Sequence, residues 1–136
     1  MIATGAVLLD TSAIIDLERL DLGELAAAQP FVSAVSVGEL AFGLDVEDTV
    51  ERMARTERYA AVLGGFEVLP FDGGAAKLYG VLAALIRRAG RNPRPRRLDL
   101  QIAATAAANR LPLVTCDAAD FDGLDSVLRV VAAARA

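Results

Sequence analysis

Short apolar runs recur along this chain, each separated from the next by a helical pattern. That order narrows the possible folds more than any other feature. Ala6-Val7-Leu8-Leu9 is apolar without alternation, the mark of a strand buried on both faces. Phe31-Val32-Ser33, Phe66 to Phe71 and Leu113-Val114-Thr115 read as three further strands, and Val127 to Val131 as a last one. Helices are expected over Ala13 to Leu20, Leu22 to Ala28, Ser36 to about Leu44, Val50 to Leu63, Ala75 to Ala89 and Leu98 to Asn109. In the fourth of these, Val50, Met53, Ala54, Ala60, Ala61 and Leu63 fall between charges in an amphipathic pattern, and Gly64-Gly65 ends it. Strands alternating with helices predict an α/β fold, a central parallel sheet covered on both sides.

The length of 136 residues fits one domain, expected to span 1–136, and 54% hydrophobic content supplies its core. The chain has no His and a single Cys. It therefore lacks a Ser-His-Asp triad, a Cys-His nucleophile pair, an imidazole metal ligand, an intrachain disulfide and a Cys-rich zinc site. Aromatics reach only 5%, which disfavours a stacking platform for single-stranded bases. Any chemistry falls to carboxylates, hydroxyls and Arg. The lone Cys fits a reducing, cytoplasmic setting. Met1-Ile2-Ala3-Thr4-Gly5 lacks the basic start of a signal peptide, and no apolar run approaches the length of a membrane span. A mean hydropathy of +0.41 points to a partner covering apolar surface.

Charge is unevenly spread. Arg87, Arg88, Arg91, Arg94, Arg96 and Arg97 lie in one stretch with no acid among them, so that segment carries +6 and the remainder −10 against a net −4. Four acids stand in telling places. Asp10 follows the first strand and Asp117 the fourth, while Glu39 and Asp99 each lie in the first turn of a helix. Sites in open parallel sheets form beyond the carboxyl ends of strands. If both helices start on that edge, four carboxylates converge, and their mutual repulsion is relieved by a divalent cation. Oxygen-only ligands select Mg²⁺ or Mn²⁺. Taken singly, each acid has a plainer role. Asp10 caps a helix, Ser36-x-x-Glu39 is a capping box, Asp99 meets a helix dipole, and Asp117-Ala118-Ala119-Asp120 is a turn. Four caps do not explain why all fall on one edge.

Asp10-Thr11-Ser12 after a strand, Val37-Gly38-Glu39-Leu40-x-x-Gly43, Asp99-x-x-Ile102-Ala103-Ala104-x-Ala106 and Thr115-Cys116-Asp117-x-x-Asp120-Phe121 together resemble the four motifs of PIN-domain ribonucleases. Spacing and length resemble the VapC toxins of bacterial toxin–antitoxin pairs, and the likeness runs from Val7 to Phe121. It implies a PIN-like three-layer fold, with Asp10, Glu39, Asp99 and Asp117 as the acidic quartet. Asp120 matches an accessory acid; Thr11, Ser12 and Thr115 match supporting hydroxyls. Cys116 departs from the family, where many relatives have Asn, and buried packing is favoured over a ligand role for its thiol.

The resemblance implies metal-dependent hydrolysis of RNA phosphodiester bonds, with Asp10, Asp99 and Asp117 as metal ligands. Glu39 either binds a second ion or orients the attacking water. One or two ions fit the pattern. Arg94, Arg96 and Arg97 are candidate phosphate contacts, with a solvated loop as their alternative. Two rival α/β enzymes fit less well. A receiver domain needs a paired acid before Asp10, where the chain is apolar, and a haloacid-dehalogenase-type phosphatase needs Asp-x-Asp where Asp10-Thr11-Ser12 stands. A pure binding domain does not account for an intact quartet. The resemblance further implies a homodimer and a small antitoxin that occludes the site in a heterotetramer or larger assembly. Segments Ala13–Ala28 and Val50–Leu63 are the candidate partner contacts.

Overall fold

A computed structural model describes residues 5–135. The first four residues of the Met1–Gly5 start considered above lie outside the described residues. Five parallel strands, β1 (Ala6–Leu9), β3 (Gln29–Ser33), β4 (Glu67–Leu69), β5 (Leu113–Thr115) and β6 (Val130–Ala132), form the central sheet in the order β4-β3-β1-β5-β6. The all-parallel pairing follows from the helical crossovers between strands. Helices α1 (Thr11–Ile15), α2 (Ala34–Phe42), α3 (Thr49–Gly65), α4 (Gly73–Arg88) and α5 (Arg97–Ala108) flank it. A short antiparallel pair joins β2 (Leu20–Asp21) to β7 (Ala134–Arg135).

The apolar run of β1 is buried on both faces, as its lack of alternation requires. Leu8 joins a cluster with Leu82, Ile86, Leu100, Ile102 and Leu113. Val7 and Leu9 point the other way, toward Ile14, Val32, Leu40, Val62 and Val114. Two cores, one per sheet face, thus clamp the central strand between helices.

Several expected elements are shortened or shifted. The helix expected over 13–20 is a single turn and a half. After α1 the chain passes through a 3₁₀ turn at Leu17–Arg19 into β2, which β7 ties down from the far end of the chain. The segment expected as a helix over 22–28 is a 3₁₀ turn at Gly23–Ala27. Helix α3 runs on through Gly64 and Gly65 to Phe66, whose N–H still bonds Val62. The Arg-rich loop contains a 3₁₀ turn at Arg94–Arg96 that leads straight into α5.

The strand order positions the site. From β1 the chain moves to β3 and β4 on one side, then crosses to β5 and β6 on the other. Connections leaving β1 and β5 diverge, and such a reversal opens a crevice at the carboxyl ends of the two strands.

Candidate active site

Asp10 closes β1 at that crevice. Its N–H bonds the Val114 carbonyl at 3.0 Å, which locks the end of β1 to β5. Its carboxylate is 7% exposed and caps α1, with Oδ1 accepting from Ala13 N at 2.9 Å and from the Ser12 hydroxyl at 2.6 Å. The cap role and a site role therefore coexist in one side chain. Both bonds fall on the same oxygen.

Ser12 bridges the crevice. Besides meeting Asp10, its Oγ accepts from Cys116 N at 3.2 Å and lies 3.5 Å from Thr115 Oγ1. Thr115, fully buried, in turn accepts from Asp117 N at 3.0 Å. These hydroxyls fix where the chain leaves β5, and so the start of the Asp117–Asp120 turn.

Glu39 is not a capping-box residue. Helix α2 begins three residues earlier than the box requires, with Ser33 as N-cap accepting from Val35 N. Ser36 is inside the helix and wholly buried, one turn before Glu39 on the same face. Thr11 Oγ1 lies 2.7 Å from Glu39 Oε1 and 2.9 Å from Ser36 Oγ. An ionised carboxylate only accepts and the Thr hydroxyl has a single hydrogen, so Thr11 donates to Glu39 and takes its second bond from Ser36. Ser36 belongs to the hydrogen-bonded network that holds Glu39, a part that the spacing concealed. Its i, i+3 relation to Glu39 was the available signal.

Asp99 lies at the start of α5 on the same rim. Burial pushes its carboxyl above the usual carboxylate range; Arg96 pulls it back, and the charges of Glu39, Asp10 and Asp120 push it up further. Four acids thus share one field. Asp117 stands at the same edge but is exposed, and its charge bears on Arg135 instead. Arg135 pairs with Asp16 at the end of α1, 2.6 Å away. Arg96 is the cation inside the cluster, with Nε 3.9 Å from Asp99 and Nη2 3.6 Å from Asp120. Arg94 and Arg97 are exposed on the surrounding surface. Cys116 is half-buried, held through its backbone.

As the side chains are placed, no three acids among the described residues stand close enough to grip one ion. The fit to a metal rests on donor chemistry. The rim offers mainly carboxylates and hydroxyls, with the Cys116 thiol as its one soft atom, and burial together with the neighbouring acids raises Asp99, a conflict that a hard divalent cation relieves.

A parallel five-stranded sheet flanked by helices, with acids gathered at its carboxyl edge, defines the class: the chain belongs to the PIN domain family, whose sequence model matches residues 7–126. It is 34% identical to Ribonuclease VapC5 of Mycobacterium tuberculosis over 129 residues, covering 93% of both chains. In structure it resembles a crystal structure of the VapBC family member VapBC-5 from the same organism, with a TM-score of 0.78 and 32% identity over 98% of this chain and 99% of that one. It shares its fold with VapBC2 of Rickettsia felis, crystallised with a promoter DNA fragment, at a TM-score of 0.74 and 20% identity over 94% of this chain and 98% of the other.

Proposed function

We propose that this chain is a single-domain endoribonuclease, the toxin of a VapBC-type pair, hydrolysing RNA phosphodiester bonds with Mg²⁺ or Mn²⁺ and held inactive by a small antitoxin. The observation that carries the reading is the hydroxyl network at the crevice between β1 and β5, in which Thr11 holds Glu39, Ser12 holds Asp10 and the chain after β5, and Thr115 holds the Asp117 backbone. Similarity to Ribonuclease VapC5 along 93% of the chain supports it.

Asp10, Asp99 and Asp117 would hold the metal, with Asp120 as accessory acid. When bound, the ion lowers the pKa of a water and steadies the departing oxygen. The chain's own residues prepare that chemistry. Ser12 holds Asp10 Oδ1, so the carboxylate cannot rotate away from the crevice. Thr11 fixes Glu39 through Oε1, leaving its second oxygen to orient a water or join the ligand set. Thr115 sets the Asp117 backbone. The exposed guanidiniums of Arg94 and Arg97 would take phosphates and offset the acidity of the rim, positioning RNA without reading its bases.

The antitoxin reading draws on exposed apolar surface. Phe42 is 81% and Val50 77% exposed, and Met53 on α3 is exposed as well. A groove of about 540 Å³ runs between the α1 end and α3, its walls mixing apolar Ile14, Ile15 and Ala61 with charged Asp16, Glu57 and Arg58. The two segments singled out as partner contacts form its opposite walls. An assembly of homodimer and antitoxin would cover this surface.

Purified protein incubated with structured RNA should cleave it with Mg²⁺ or Mn²⁺ and stop when EDTA is added. Cleavage that persists unchanged in EDTA would overturn the metal mechanism. No cleavage of any RNA with either ion would favour a domain that only binds.

A further inference from the structure

Arg96 was a candidate phosphate contact, yet its side chain turns inward and is only 27% exposed. Its strongest bond is to neither acid. Nη2 donates to the Asp120 main-chain carbonyl at 2.5 Å, while the carboxylates of Asp99 and Asp120 lie farther off, at 3.9 and 3.6 Å. The guanidinium is therefore anchored by a backbone group rather than by a carboxylate, and it stands beside the carboxylates without a close hydrogen bond to either. A planar, permanently charged fork can hold a carbonyl and still present charge sideways; an ammonium cannot do both as rigidly. The same bond ties the residue leading into α5 to the turn after β5, joining two of the elements that carry the acids.

We infer that Arg96 is a positioning residue and fixed counter-charge of the acidic pocket, which joins the Asp99 helix to the Asp120 turn and lowers the pocket's affinity for a divalent cation. The inference rests on reading the pocket as a metal site. A weakened affinity keeps the pocket from being saturated by trace ions, and the guanidinium beside Asp99 and Asp120 partly offsets the negative charge that a phosphodiester meets there.

The test is Mn²⁺ binding to the RNA-free protein, followed by calorimetry at low ionic strength. A divalent ion and a unit charge within one side chain's reach oppose each other by roughly tenfold in affinity, even at the dielectric of water. Arg96→Gln should therefore bind Mn²⁺ about tenfold tighter, with the gain shrinking as salt is added. Arg96→Lys, which keeps the charge, should stay near wild type. If Arg96→Gln fails to fold, Arg96→Met keeps the packed stem and carries the same expectation. Unchanged or weaker Mn²⁺ binding in a folded, uncharged variant overturns the inference alone. A wild-type chain that binds no Mn²⁺ overturns the metal-site reading as well.

Discussion

Asp10→Asn separates the structural work of this carboxylate from its chemical work. The helix cap and the Ser12 contact both use Oδ1. Asn presents a carbonyl oxygen in the same place, so both bonds survive and only the charge is lost. Asp10→Ala removes both. Losing an N-cap costs about 0.5–2 kcal/mol, while the Ser12 hydroxyl keeps its contacts with Cys116 N and Thr115. Thermal unfolding followed by circular dichroism should place Asp10→Ala about 3–8 °C below wild type and Asp10→Asn within about 2 °C. Activity should not follow stability. Removing a group that merely orients a metal ligand costs about 10- to 100-fold, so losing a ligand's own charge should cost at least about 100-fold in both variants. The assay is RNA cleavage at saturating Mg²⁺, with the Tm of each variant measured in the same buffer. Near-wild-type cleavage by Asp10→Asn would refute the site. An Asp10→Asn Tm as low as that of Asp10→Ala would refute the account of the cap.

Thr11→Val keeps the shape of α1 but unties Glu39 and Ser36; cleavage should fall about 10- to 100-fold, with the KM for RNA unchanged. Asp99→Asn should raise the Tm of the metal-free protein at pH 7 slightly. The raised folded-state pKa means that ionised Asp99 destabilises the fold above that pKa, and the penalty fades as pH falls and the group protonates. Variant and wild type should therefore converge in acid; a gap that widens as pH falls would contradict the burial argument. Neutralising Arg94 and Arg97 together should lower the slope of log affinity against log salt by about 1.4 for single-stranded RNA. An unchanged slope in a filter-binding titration would return both residues to the role of solvated surface.

Local pattern was enough to show that this chain builds a parallel α/β sheet and to name the acids at its rim. The length and period of apolar runs are properties of neighbouring residues, and β1, β3 and β5 lie where those runs predict. Partner choice was not legible in the same way. Ser36-x-x-Glu39 has the spacing of a capping box, yet the helix starts at Ala34 and Glu39 is held by Thr11, 28 positions away along the chain. Arg96 reads as one of six like charges in one stretch of sequence; its geometry turns it onto Asp120, 24 positions further on. Asp117 and Asp120 lie in one turn, but only folding decides that Asp120 shares Arg96 with Asp99 while Asp117 stays exposed. A hydrogen bond or an ion pair is chosen by distances of a few ångströms between segments far apart in the chain. Those distances exist only once both hydrophobic cores have clamped the sheet.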